Sequence, residues 1–428
     1  MHILLTNARL VDPQTNRDER GIAIEIKDGT IVKVGAADPS FTGQTYDLKG
    51  AVVAPGFFDM HVHLREPGQE YKETIETGTN AAAYGGFTGV CCMPNTEPSI
   101  SDPYVVSFIK ERSKGLLVDV EICGTMTKAR KGDELTGYSA LKDSGVKMVS
   151  DDGGAVRSAE VMRRVFEYAK MFDLLCTQHC EEHSMTKGTC MHEGKTSAKL
   201  GLPGYPSVAE DIIVGRDILL AEYVGGVRYH AAHISTKGSI ELVRNAKAKG
   251  LPITTEVTPH HFTITDEAVE THWANAKMNP PLREQADVDA VIAGLQDGTI
   301  DCIATDHAPH ATSEKETDMM SAAYGIIGLE SAVGLGLTQL VHTGKLSLIE
   351  YIRKCSTNPR AILRLPAVTF EAGAPANITI IDMDKDWTFS DETIRSKSSN
   401  TPFKGVPLKG KAIGVINNGQ YRGELFSA

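Results

Sequence analysis

The sequence predicts an α/β fold in which eight parallel strands and their helices close into a (β/α)8 barrel, with β-rich segments at both chain ends. Three observations carry this prediction. Eight compact apolar runs alternate with longer amphipathic ones through the middle of the chain, the rhythm of βα units around a parallel sheet. The first and last fifty residues instead show short alternating runs broken by tight-turn signals. With 428 residues, 41% hydrophobic and 23% charged, the chain is long enough to bury the core that such a barrel needs.

At the N-terminus, Ile22, Ile24 and Ile26 alternate with Ala23 and Glu25, and Asp28-Gly29 offers a turn before Ile31, Val32 and Val34. That pattern predicts a hairpin. The eight barrel runs lie at Phe57–His63, Phe87–Met93, Val118–Gly124, Val146–Ser150, Leu174–His179, Val227–His233, Ile253–Val257 and Ile300–Thr305. Between them, three stripes recur at helical spacing: Val161, Val165 and Tyr168; Ile212, Ile218, Leu219 and Tyr223; and Val288, Val291, Ile292 and Leu295. At the C-terminus, Asn377 to Ile381 and Ala412 to Ile416 read as strands, the second running into Asn418-Gly419. A doubly wound open sheet is the alternative, and the placement of polar residues described next argues against it.

Lys and Arg total 44 against 55 Asp and Glu, a net charge of −11, so neither nucleic acid nor an anionic membrane is expected as the main partner. A local basic pocket is still compatible with that balance. The eight cysteines contain no CxxC pair and read as reduced, buried thiols of a cytosolic protein. No run approaches the roughly 18 apolar residues of a membrane span, so a soluble, cytoplasmic protein is expected.

The polar residues of interest fall at the C-terminal ends of the apolar runs, the edge where barrel enzymes assemble their sites. The first run ends in Asp59-Met60-His61-Val62-His63-Leu64-Arg65. Side chains in a strand alternate with a period of two, so His61 and His63 share a face and can chelate one ion, with Arg65 just beyond. A His-x-His pair is common by chance. His179, His233 and Asp306 at later strand ends turn it into a pattern, because several imidazoles and a carboxylate at one rim are costly to bury unpaired yet suit a zinc-like ion.

The fourth run ends in Ser150-Asp151-Asp152-Gly153, where one carboxylate can bridge two metal ions and strand parity admits only one of the two. Cys180, His183, Cys190 and His192 match no zinc-finger spacing and are taken as loop composition. Gly194-Lys195-Thr196 lacks the glycine of a phosphate loop, His192-Glu193 has no second histidine at 196, and no G-x-S-x-G elbow is present, so a serine hydrolase is not expected.

The stretch from Pro55 through His61-Val62-His63-Leu64-Arg65-Glu66-Pro67-Gly68 resembles the amidohydrolase superfamily, and within it the bacterial dihydroorotases related to multifunctional pyrimidine complexes. The resemblance continues through Lys72 to Gly78, Met93-Pro94-Asn95-Thr96, Lys277 to Arg283, Ile303 to His310 and Tyr324 to Glu330, in order across nearly the whole barrel. It implies a metal-dependent hydrolase barrel over residues 55–365, with a small β-sandwich made by 1–54 and 366–428. It also implies that His61 and His63 hold a first metal ion, that His179 and His233 hold a second, that Asp152 bridges them and that Asp306 joins the metal site. One or two Zn2+ ions are expected, two being favoured. Relatives such as hydantoinases place a carboxylated lysine at the bridge; here Lys147 lies five residues before Asp152, on the opposite strand face, which favours the aspartate.

The implied reaction is the reversible cyclisation of N-carbamoyl-L-aspartate to L-dihydroorotate in pyrimidine biosynthesis, with metal-activated hydroxide as the attacking group. Asp306 would serve as base and then acid. Arg65 would fork onto the exocyclic carboxylate of this small anionic substrate, with Asn95 and His310 donating to it. Asn279 and the Tyr324-Gly325 backbone would read the ring amide edges. The competing readings are a cyclic amidase acting on allantoin or a hydantoin, and a non-catalytic scaffold. A homodimer, and association with an aspartate carbamoyltransferase, are compatible with the resemblance but supported by no feature of the chain. The segment Ala311 to Met320 is a candidate lid, although its composition equally suits a solvated loop.

Overall fold

The computed structural model describes residues 1–426. Strands β1 (His2–Asp12), β2 (Arg17–Lys27) and β3 (Thr30–Gly35) pair antiparallel, while β4 (Gln44–Asp47) and β5 (Val52–Pro55) run parallel to β1. The turn between β2 and β3 places Asp28 at φ 48° and Gly29 at φ 76°, the left-handed pair that a two-residue hairpin turn requires and that Asp-Gly supplies cheaply.

The barrel follows as β6 (Phe57–Val62), β7 (Phe87–Cys92), β8 (Asp119–Gly124), β9 (Met148–Val149) and β10 (Leu175–Gln178). An excursion carrying the small parallel pair β11 (Met191–His192) and β12 (Gly204–Tyr205) leads to β13 (Tyr229–Ala231), β14 (Ile253–Val257) and β15 (Cys302–Ile303). The eight barrel strands are hydrogen-bonded in chain order and all pair parallel. The two ends meet where the His63 N–H donates to the His307 carbonyl at 2.8 Å, closing the cylinder. All eight runs read from the sequence are these strands, Ile253–Val257 in full and the other seven trimmed by one or two residues at one or both ends.

The last strands, β16 (Ile378–Thr388), β17 (Pro407–Asn417) and β18 (Gln420–Arg422), return to β5, so both termini build one eight-stranded sheet. Its core holds Ile3, Leu5, Leu10, Ile24, Ile26, Val53, Ile378, Ile380 and Ile416, residues from both ends of the chain. Asn418 (φ 51°) and Gly419 (φ 69°) form the second left-handed turn.

One helical stripe is corrected. The helix Val208–Val224 forms, but Ile212, Leu219 and Tyr223 are 43%, 66% and 76% exposed, and the buried face is Ile213, Val214, Asp217, Ile218 and Ala221. This helix carries apolar residues on more than one face, so spacing alone did not identify the buried side. Tyr168 likewise points outward, whereas Val288, Val291, Ile292 and Leu295 are all buried. All eight cysteines are buried and free, as composition suggested. No helix among the described residues is long and apolar enough to cross a membrane.

Candidate active site

Strand β6 sets up the mouth of the barrel through a break in its own alternation. Phe58 and Met60 point into the barrel with Cys91, Cys123, Met148, Leu175 and Cys302, while Phe57 and Val62 pack outward among the residues of the helical layer. An irregularity in the β6–β7 register between Asp59 and Val62 lets His61 follow Met60 toward the interior, and His63 then joins it. Asp59, pushed up to about 7 by burial, accepts from the His61 and Thr305 backbone N–H groups and ties β6 to the end of β15.

At the mouth, His61 Nε2 lies 3.3 Å from Asp152 Oδ1, and His63 Nε2 lies 3.5 Å from Asp152 Oδ2. His233 Nε2 stands 3.7 Å from Asp152 Oδ1 and 3.1 Å from His179 Nδ1. Asp152 therefore stands between two groups, one with His61 and His63 and one with His179 and His233, each with its ligand atoms within 4.8 Å of one another. Asp306 Oδ1 is 2.9 Å from His63 Nε2 and 3.6 Å from His61 Nε2. Asp151 turns away: it accepts from the Met126 and Thr127 N–H groups and the Thr127 hydroxyl, which resolves the choice between the two aspartates by geometry.

The donor set fits a divalent cation. His61 Nε2 and Asp152 Oδ1 are buried with no hydrogen-bond partner, a costly state that a bound cation relieves. Three of the imidazoles have their outer nitrogen occupied: His61 Nδ1 by Glu256 at 2.6 Å, His63 Nδ1 by Asn95 Oδ1 at 2.8 Å and His179 Nε2 by Glu181 at 2.9 Å. Each such bond fixes the ring so that the other nitrogen's lone pair faces the mouth. Burial pushes the Asp152 and Asp306 carboxyls up, but the surrounding imidazoles outweigh it and hold both below the usual carboxylate range.

The remaining predicted residues line the same cavity of ≈ 210 Å³. Arg65, 6% exposed and pushed down to about 10 by burial, donates from Nε to the Pro309 carbonyl and places Nη2 3.3 Å from His310 Nε2. His310 Nε2 donates to the Tyr324 carbonyl at 2.8 Å and holds the Tyr324-Gly325 turn; as a donor there it meets Arg65 Nη2 only by contact. Gly325 has φ 122°, and a Cβ there would lie 2.5 Å from the Ala308 Cβ, so glycine is required. The Tyr324 side chain points away and its hydroxyl bonds to the Thr189 carbonyl. Arg65, His233 and Asp306 have φ of 62°, 29° and 49°, left-handed conformations gathered at one rim.

Cys180, His183, Cys190 and His192 form no metal-binding group among the described residues. Lys147 lies outside the cavity. The candidate lid is a short helix, Thr312–Lys315, anchored by Lys315, whose ammonium donates to the Lys277, Ala323 and Gly325 carbonyls. Sequence reasoning missed Lys315, Glu181 and Glu256. A carboxylate inside the apolar run Ile253–Val257, and another two residues after His179, were the available signals.

A closed parallel barrel with imidazoles and carboxylates gathered at its C-terminal mouth, in clusters that could hold metal ions, is the arrangement of an amidohydrolase-type barrel enzyme. Among solved structures, an L-hydantoinase (dihydropyrimidinase) from Arthrobacter aurescens superposes with a TM-score of 0.86 at 24% identity, covering 98% of this chain and 96% of that one, a likeness of fold. Residues 50–239 match the family model described as dihydro-orotase-like. The dihydroorotase of Chlorobaculum tepidum is 49% identical over 98% of this chain and 99% of its own length; that of Pelotomaculum thermopropionicum is 47% identical over 98% of each. The chain belongs to the dihydroorotase family.

Proposed function

We propose that this protein interconverts N-carbamoyl-L-aspartate and L-dihydroorotate, using divalent cations, two Zn2+ ions being favoured. Near-full-length similarity to proteins named dihydroorotase supports the reading. The observation that carries it is the mouth itself: an acidic chain buries Arg65 beside a cation-fitting cluster, a local exception to its charge that suits a small anionic substrate.

His61, His63, His179, His233, Asp152 and Asp306 are the residues to hold the metal. A cation bound there supplies Lewis acidity and makes water acidic enough to furnish a nucleophile near neutral pH. Asp306 accepts the proton of the attacking water and delivers it to the ring nitrogen as the amide opens; in the cyclising direction it takes that nitrogen's proton instead. Arg65 binds the exocyclic carboxylate. Because Asn95 Oδ1 is taken by His63, its amide N–H is what remains to donate to the same group. The Pro309 carbonyl orients Arg65, and His310 holds the Tyr324-Gly325 turn.

The test is turnover of L-dihydroorotate beside allantoin and hydantoin by the purified protein, with metal analysis before and after chelation. Preferred turnover of dihydroorotate, lost on chelation and restored by Zn2+, is expected. Preference for allantoin or hydantoin would overturn the reading in favour of another cyclic amidase, and inactivity of the metal-loaded protein toward all three would favour a scaffold.

A further inference from the structure

We infer that Glu181 is a positioning residue that decides which polarity Asn279 presents to the substrate, and that the same carboxylate orients His179. The inference deepens the dihydroorotase reading and rests on it for the identity of the substrate.

Glu181 is nearly inaccessible, and its two oxygens are surrounded by hydrogen-bonding groups. Oε2 receives Asn279 Nδ2 at 2.7 Å and meets His179 Nε2 at 2.9 Å. Oε1 accepts from the Thr186 hydroxyl and faces His183 Nδ1 at 3.3 Å. A carboxylate so placed accepts, so Asn279 must turn its NH2 group toward Glu181; the flipped amide would oppose two acceptors at 2.7 Å. The other end of the amide follows from this. Asn279 Oδ1 is buried without a partner, and Asn279 lines the cavity. A buried acceptor without a donor is costly, so the occupant of the site is selected for an N–H at that point. A ring amide N–H of L-dihydroorotate supplies it. On its other side, Glu181 takes the His179 Nε2–H and leaves Nδ1 facing His233 and the mouth. One carboxylate thus aligns a cation-facing imidazole with the group that reads the ring edge.

The experiment compares wild type with Glu181→Gln, an isosteric change that turns one acceptor into a donor. KM and kcat for L-dihydroorotate, metal retained after dialysis against a chelator, and calorimetric binding of L-dihydroorotate to metal-stripped protein are measured. A rise in KM of tenfold or more is expected, with a smaller change in kcat, equally weakened binding to stripped protein, and lower metal retention. Glu181→Gln placed on Asn279→Ala should raise KM no further. Unchanged KM and unchanged binding to stripped protein would overturn the inference, as would additive effects in the double variant. Thr186→Val, which removes only an outer partner of Glu181, should leave KM unchanged. A readout on the native chain guards against a misfolded variant: of the two ring-N-methylated dihydroorotates, at least one should bind wild type tenfold or more weakly, and parent-like binding of both would overturn the inference. Wild-type protein that neither binds nor converts L-dihydroorotate would defeat the dihydroorotase reading instead. Metal retention in Glu181→Gln still decides the role of Glu181 toward His179 in that case, and unchanged retention overturns it.

Discussion

Two neighbouring layers of the same barrel strands are built on opposite principles. In the interior, Phe58, Met60, Cys91, Cys123, Met148, Leu175 and Cys302 form an apolar, sulfur-rich plug whose favourable energy is burial and close packing. Above it at the mouth, His61, His63, His179, His233, Asp152 and Asp306 are nearly as inaccessible, yet they crowd imidazoles and carboxylates together and leave His61 Nε2 and Asp152 Oδ1 without a hydrogen-bond partner. The plug stabilises the fold by itself. The mouth is costly in isolation, and its arrangement becomes favourable when a cation is bound. The difference shows which layer carries stability and which carries chemistry.

Four substitutions break or sharpen that contrast. The largest effect belongs to the mouth: Asp306→Asn should lower kcat by at least about 10³-fold, the range of a lost general base, while thermal unfolding of the protein shifts little. Steady-state kinetics beside calorimetry check this, and near-normal turnover would remove Asp306 from proton transfer. In the plug, Phe58→Ala should destabilise the fold by about 3–5 kcal/mol in denaturant titration and leave KM unchanged. A comparable loss of activity in the folded enzyme would mean the layers are not separable. Arg65→Ala should retain its metal and raise KM by roughly ten- to a hundredfold, corresponding to about 1.5–3 kcal/mol for a charged hydrogen bond; an unchanged KM would place the substrate carboxylate elsewhere.

The smallest effect concerns the anchor of the 312–315 helix. Burial, reinforced by Lys277, pushes Lys315 down to about 7 from 10.5, with Glu314 opposing. The unfolded chain therefore holds this proton to higher pH than the folded one, so the contribution to stability rises from pH 7 toward pH 10.5 and is lost as pH falls through 7. The difference in melting temperature between wild type and Lys315→Met should follow that slope. A pH-independent difference would show that Lys315 keeps its ordinary affinity for protons.

Much of the barrel was legible because each strand is a short apolar run with an abrupt polar end, a local pattern that burial enforces. The candidate ligands were legible for the same reason: His179, His233 and Asp306 stand at those ends in chain order. The supporting residues were not. Glu256 and Glu181 are ordinary acids in sequence and acquire meaning only when a histidine from another strand, or from two residues before, is placed against them. The outward face of Val208–Val224 was misread because apolar residues there occur on more than one face of the helix.

Periodicity and turn chemistry are properties of neighbours along the chain, so the order of strands, both left-handed hairpin turns and the position of each rim residue were written in the amino acids themselves. Distances across the barrel are not. Which of Asp151 and Asp152 faces the imidazoles, the register break that turns His61 inward after Met60, and the pairing of Glu181 with both His179 and Asn279 were decided only when closure of the cylinder brought remote segments within hydrogen-bond range.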